Sequence, residues 1–241
     1  MAVAAEAGVT RFVVPAVDAE SSTVAMELAA MFPAVSGAVG IHPCSAREYA
    51  AAARAEIKRL LNASPKPVAI GEVGLDYYHF EDLDEDQIKS YKERQESVFR
   101  EMISLAKDHG LPLIIHSREA FKETLKILQE EAKGVPMVIH CFTGTKEEAA
   151  AWLAAGCLIS FTGIITYKRN QELREVVASV PLERMMTETD APYLAPEGFR
   201  GKLGEPRFVA QVAQCIADVK GLSLEEVDRI TTATATQFFS L

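Results

Sequence analysis

Short apolar runs recur along the chain, and most are followed by a stretch with helical spacing. The runs are "RFVVPAV" (11–17), "SGAVGIH" (36–42), "VAIGE" (68–72), "LIIH" (113–116), "MVIH" (137–140), "LISF" (158–161) and "RMMTETD" (184–190). Most are continuous rather than alternating, which is the pattern of strands covered on both faces. Segments 23–31 and 46–61 between them are rich in Ala, Leu and Glu. Segment 89–108 carries Val98, Met102, Leu105 and Ala106 along one apolar stripe. Thr145 with Glu148, and Ser223 with Glu226, have capping-box spacing at helix starts. Gly110 and Gly156 fall where helix C-caps belong, each just before a strand.

Strand-helix alternation of this kind predicts a parallel sheet. Seven such units in 241 residues point to an α/β TIM-type (βα)8 barrel more than to an open doubly wound sheet. The chain has no GxGxxG turn, which an open nucleotide-binding sheet would favour. No linker or low-complexity tract interrupts residues 1–241, so a single barrel domain is expected.

Composition narrows the functional classes. Hydrophobic residues make up 49% of the chain, ample for a core, yet no apolar run reaches the ~18 residues needed to cross a bilayer. The start, "MAVAAEAGVTRF", lacks the basic and apolar regions of a signal peptide. Four cysteines without a CxxC pair suit a reduced, cytoplasmic protein. The net charge of −9 offers no global attraction to nucleic acid or membrane, so a polyanionic substrate would need local basic residues or metal ions.

In a (βα) barrel, reactive side chains project from the C-terminal ends of the strands. Read that way, the strand ends are His42, Glu72, His116, His140 and Asp190. Each alone has an ordinary structural role as a backbone hydrogen-bond partner or turn residue. Five polar residues closing five separate apolar runs point instead to a shell for Zn²⁺, Mn²⁺ or a similar ion. Such an ion activates water and polarises a phosphoryl or acyl oxygen. Arg118, Lys168, Arg169, Arg200 and Lys202 follow strand positions and could contact phosphates. Tyr77, Tyr78 and Tyr193 could stack on bases. His79 and His109 are read as a loop residue and a helix C-terminal residue.

Six blocks in order then resemble the TatD family: "GIHP" (40–43), "AIGEVGLDYY" (69–78), "LPLIIHSREA" (111–120), "VIHCFTG" (138–144), "ISFTGIITYK" (159–168) and "TETDAPYLAP" (187–196), with "RGK" at 200–202. The resemblance implies a metal-dependent hydrolase barrel and a deoxyribonuclease-like activity with one or two divalent ions (Mg²⁺, Mn²⁺ or Zn²⁺). It makes Glu72, His116, His140 and Asp190 metal ligands. Glu72 would bridge, and Asp190 would also take a proton from the attacking water. His42, Arg118, Lys168 and Arg200 become substrate contacts. The substrate would be DNA or another nucleic acid, with no membrane partner and a monomer favoured.

Three departures qualify that picture, the smallest being "GEP" at 204–206 in place of the commoner "NEP". Family members begin with a strand carrying H-x-H-x-D, and this chain has none, so a barrel lacking its first strand is expected. Cys44 stands where a second His often follows "GIHP". Two other functions compete with the nuclease: an acyl-ester hydrolase, such as a D-aminoacyl-tRNA deacylase, and an inactive binding barrel.

Overall fold

A computed structural model describes residues 1–80 and 82–241. In chain order its elements are α1 (Ala2–Glu6), β1 (Phe12–Val14), α2 (Ala19–Met31), β2 (Val35–Gly37), α3 (Ala51–Leu61), β3 (Ile70–Asp76), α4 (Glu85–His109), β4 (Leu113–Arg118), α5 (Phe121–Glu131), β5 (Met137–Ile139), α6 (Lys146–Ala154), β6 (Leu158–Phe161), α7 (Gln171–Ser179), β7 (Met185–Thr187), α8 (Val209–Lys220) and α9 (Leu224–Phe239), with short 3-10 turns between some of them. Every apolar run of the sequence contains or adjoins a strand. The chain forms two compact units, one of Arg11–Val138 and one of Met1–Thr10 with Ile139–Leu241.

Within Arg11–Val138, β1 pairs in parallel with β2, and β3, β4 and β5 follow one another in a second parallel set. Apolar side chains dominate β3 and its neighbours: Ile70, Val73, Leu75, Leu113 and Ile115 are fully buried. Helix α4 covers them with a stripe that includes Val98, Phe99, Met102, Ile103 and Ala106, wider than the four residues its periodicity suggests. It starts at Glu85 because Asp84 and Gln87 form a reciprocal capping box. It stops at Gly110, whose φ of 64° is the left-handed conformation that glycine adopts without a Cβ penalty.

Strand β3 runs past the point where its apolar pattern stops. The sequence ends this strand at Glu72, but the backbone pairing continues to Asp76, so Glu72 sits inside the strand. His116 likewise lies inside β4, which ends at Arg118. The register between β3 and β4 shifts between Ile70 and Val73. A bulge of this kind re-aims a side chain, and the Glu72 amide donates instead to the Ala16 carbonyl at 2.7 Å. Gly74 allows β4 to pass close by: its φ is +139°, and a Cβ there would stand 2.0 Å from the His116 carbonyl oxygen.

Within the second unit, β6 pairs in parallel with β7, and the Phe142 amide donates to the Ser160 carbonyl just after β5. Thr145 and Glu148 form the expected capping box of α6, and Ser223 accepts the Glu226 amide at the start of α9. Among the described residues no helix is long and apolar enough to cross a membrane.

Candidate functional site

The predicted ligands within Arg11–Val138 converge. His116 is half-buried at the centre. Its Nδ1 is 2.9 Å from Glu72 Oε1 and its Nε2 is 3.0 Å from Asp76 Oδ2. His42 packs edge-on against the His116 ring at 4.4 Å, with its Nε2 3.8 Å from Glu72 Oε1. His42 caps the 3-10 turn Pro43–Ser45 by accepting the Cys44 amide on Nδ1 at 3.1 Å. Accepting there leaves the neutral ring with its proton on Nε2, the nitrogen nearest Glu72.

Asp76 is wholly buried, and its surroundings account for that. Gln95 of α4 accepts the Asp76 amide at 2.9 Å and donates to the Asp76 carbonyl at 3.0 Å. The carboxylate takes the Tyr78 and His79 amides on Oδ1 at 3.0 and 3.1 Å, and the His79 ring on Oδ2 at 2.9 Å. Burial works against its charge, but the hydrogen bonds from His116 and His79 outweigh burial and hold the carboxyl well below its ordinary value. Burial likewise opposes a charged His116, while Asp76 and Glu72 together raise its pKa.

A second cluster lies within the other unit, and it repeats the arrangement. His140 follows β5 directly. Its Nδ1 is 2.6 Å from Glu188 Oε2 and its Nε2 is 3.4 Å from Asp190 Oδ1. Glu188 also accepts the Cys141 amide at 2.6 Å and the Ser160 hydroxyl. Burial opposes its charge, but His140 and these donors hold it below the ordinary glutamate value. Burial pushes the Cys141 thiol up to about 12. Cys141 and Asp190, at φ 48° and 55°, both occupy left-handed backbone that residues with a Cβ seldom adopt.

Both histidines thus use one ring nitrogen on an orienting carboxylate, Asp76 or Glu188, and turn the other toward a second carboxylate, Glu72 or Asp190. Orienting carboxylates of this kind fix the tautomer of a metal-binding imidazole. The donor set therefore fits divalent ions. Asp76 and Glu188 escape the sequence reading. A charged residue placed after "EVGL", or next to a better candidate in "TETD", gives no periodic signal of its own.

Apart from His42, the predicted substrate contacts are exposed cationic side chains, two of them set over aromatic rings. The Arg118 guanidinium lies 3.7 Å over the Tyr78 ring, and that of Arg200 lies 4.6 Å over Tyr167. Lys168 follows Tyr167 and is exposed, as are Arg118 and Arg200. Tyr78 and Tyr193 also face solvent.

The profile of the TatD related DNase family matches residues 1–240. This chain belongs to that family. It is 41% identical over 234 residues to the uncharacterized metal-dependent hydrolase YabD of Bacillus subtilis, covering 97% of this chain and 88% of the relative. It is 36% identical over 245 residues to a protein of Erwinia billingiae named 3'-5' ssDNA/RNA exonuclease TatD, covering 99% and 90%. The crystal structure of YJJV, a TatD homologue from Escherichia coli, superposes with a TM-score of 0.89 at 29% identity, over 99% of this chain and 89% of that one. These matches bear out the TatD resemblance and the α/β TIM-type barrel class. They also establish the protein as a member of a metal-dependent hydrolase family.

Proposed function

We propose that this TatD-family chain is a divalent-metal-dependent nuclease that hydrolyses phosphodiester bonds in single-stranded DNA or RNA from the 3' end. The observation that carries the reading is the paired imidazole arrangement, Asp76–His116–Glu72 and Glu188–His140–Asp190. The name of the Erwinia relative supports the choice of substrate.

Glu72 with His116, and His140 with Asp190, are the residues that would hold divalent ions. When bound, the ions supply a Lewis acid for the phosphoryl oxygens and lower the pKa of water. Asp76 and Glu188 keep the imidazoles turned so that one nitrogen offers a lone pair. Asp190, a carboxylate with part of its surface exposed, takes the proton of the attacking water. His42 offers its Nε2 proton as a hydrogen-bond donor to the substrate. Arg118, Lys168 and Arg200 contact phosphates through their exposed cationic ends, and the exposed Tyr78 ring stacks on a base.

The test is digestion of single-stranded oligonucleotides carrying a label at either end, with Mg²⁺, Mn²⁺ or Zn²⁺. A 5'-labelled strand should shorten stepwise, and a 3'-labelled strand should release its label at once. A His116→Ala, His140→Ala double variant should lose at least about 10³-fold in rate, as removal of principal catalytic groups does. Labelled strands that stay intact with every metal would overturn the proposal.

A further inference from the structure

We propose a second metal site of soft-ligand character, formed by Cys44, Asp76 and His79 within Arg11–Val138. One donor atom from each lies within 4.8 Å of the other two. Cys44 Sγ is 3.9 Å from His79 Nδ1, and that nitrogen is 2.9 Å from Asp76 Oδ2. Tetrahedral zinc, with Zn–S of about 2.3 Å and Zn–N of about 2.0 Å, sets S···N near ~3.5 Å and N···O near ~3.3 Å. The two observed separations each differ from those values by a few tenths of an ångström. Rotation of the exposed Cys44 side chain supplies the remaining closure toward Asp76.

The backbone behind all three donors is anchored. The Tyr91 hydroxyl donates to the Cys44 carbonyl at 2.8 Å, which fixes the 3-10 turn against α4. Gln95 fixes Asp76, and Asp76 Oδ1 fixes the His79 amide. Little backbone freedom therefore remains to be lost when an ion binds.

The donor chemistry selects the ion. A thiolate with an imidazole and one carboxylate suits Zn²⁺ or Co²⁺ and disfavours Mg²⁺, which takes oxygen donors. Binding forms the S–metal bond as the thiol proton leaves to solvent. His79 enters through the Nδ1 lone pair with its proton on Nε2. The ion takes the place of His79 on Asp76 Oδ2, while His116 Nε2 keeps its own bond there. Three protein ligands leave a fourth position for water. The site shares no ligand with the Glu72–His116 and His140–Asp190 pairs, but Asp76 also orients His116, so the site is tested on its own thiolate–metal signal rather than on nuclease activity.

The experiment is Co²⁺ titration of the metal-stripped full chain, read in the near-ultraviolet thiolate-to-cobalt charge-transfer band. The band should appear in wild type and in Cys141→Ser, and should vanish in Cys44→Ser. His79→Ala should weaken Co²⁺ at the thiolate site by more than about 10-fold. Circular dichroism checks that each variant is folded, and the exposed positions of Cys44 and His79 favour that. Absence of the band in wild type would overturn the proposal. So would a band that survives Cys44→Ser, including one that depends on Cys141 instead.

Discussion

Replacing Asp76 with Asn changes one atom of a wholly buried side chain, and its effect follows from the bonds drawn above. Asp76 receives two backbone amides on Oδ1 and two imidazole nitrogens on Oδ2. An asparagine whose oxygen keeps the amides must turn its NH₂ toward His116 Nε2. That nitrogen then has to accept rather than donate, so the proton of a neutral ring moves to Nδ1, the nitrogen facing Glu72. An imidazole protonated at Nδ1 cannot give that lone pair to an ion. Loss of an orienting partner costs about 10–100-fold in metal affinity, or about 1.4–2.7 kcal/mol. Replacing charge-assisted bonds with neutral ones should also destabilise the metal-free fold by roughly 1–3 kcal/mol. Calorimetric titration of the Asp76→Asn variant with Mn²⁺ separates the two effects, since thermal unfolding without metal reports the second alone. The parallel change Glu188→Gln should weaken metal binding through His140 in the same way. Mn²⁺ affinity equal to wild type in Asp76→Asn would refute the tautomer argument, whatever happened to stability.

Gly74→Ala should destabilise the fold by ~3 kcal/mol or more, because a Cβ at φ +139° would overlap the His116 carbonyl; chemical denaturation showing less than about 1 kcal/mol would contradict the close approach. At pH near 8 the metal-stripped protein should present one fast-reacting thiol to Ellman's reagent, the exposed Cys44, because burial pushes Cys141 and Cys157 up to about 12 and raises Cys215 as well. Unchanged fast labelling in Cys44→Ser would count against this. Burial opposes ionisation of Glu101, yet hydrogen bonds from Arg54 and the Tyr49 hydroxyl hold its pKa below the ordinary value. Its contribution is therefore present above the unfolded value of ~4.3 and is lost as pH falls through the lowered folded value. The Tm gap between wild type and Glu101→Gln should be wide at neutral pH and should close in acid; a gap that widens in acid would reverse the sign.

The sequence shows the strands most clearly where apolar runs are short and bounded, as at Leu158–Phe161, which matches β6 residue for residue. It misplaces their ends at Glu72 and His116. Periodicity registers side-chain polarity, whereas a strand continues as long as its backbone finds a partner, and Gly74 lets β3 keep one. Helix starts shift for a related reason. Helix α2 begins at Ala19, four residues before the apolar pattern at 23–31, because Asp18 and Ser21 cap it. Helix α3 begins at Ala51 rather than at position 46, because Pro43–Ser45 takes a 3-10 turn first. The histidines His42, His116 and His140 are legible because each closes an apolar run. Asp76 and Glu188 act through the histidines, and only three-dimensional pairing reveals them.

The Gln95 clasp has a consequence for redesign. With one acceptor and one donor on a single amide, Gln95 does for the last residue of β3 what a neighbouring strand would do, so strand and crossover helix are stitched into one part. Glutamate at 95 lacks the donor, methionine lacks both groups, and asparagine is a methylene shorter. A helix grafted from another barrel in place of α4 would therefore need an amide at that same turn. Without it, the loop bearing Tyr78 and His79 would come loose along with the strand end. The interchangeable module in this part of the chain is β3 together with α4, and α4 can be exchanged by itself only for a helix that keeps this amide.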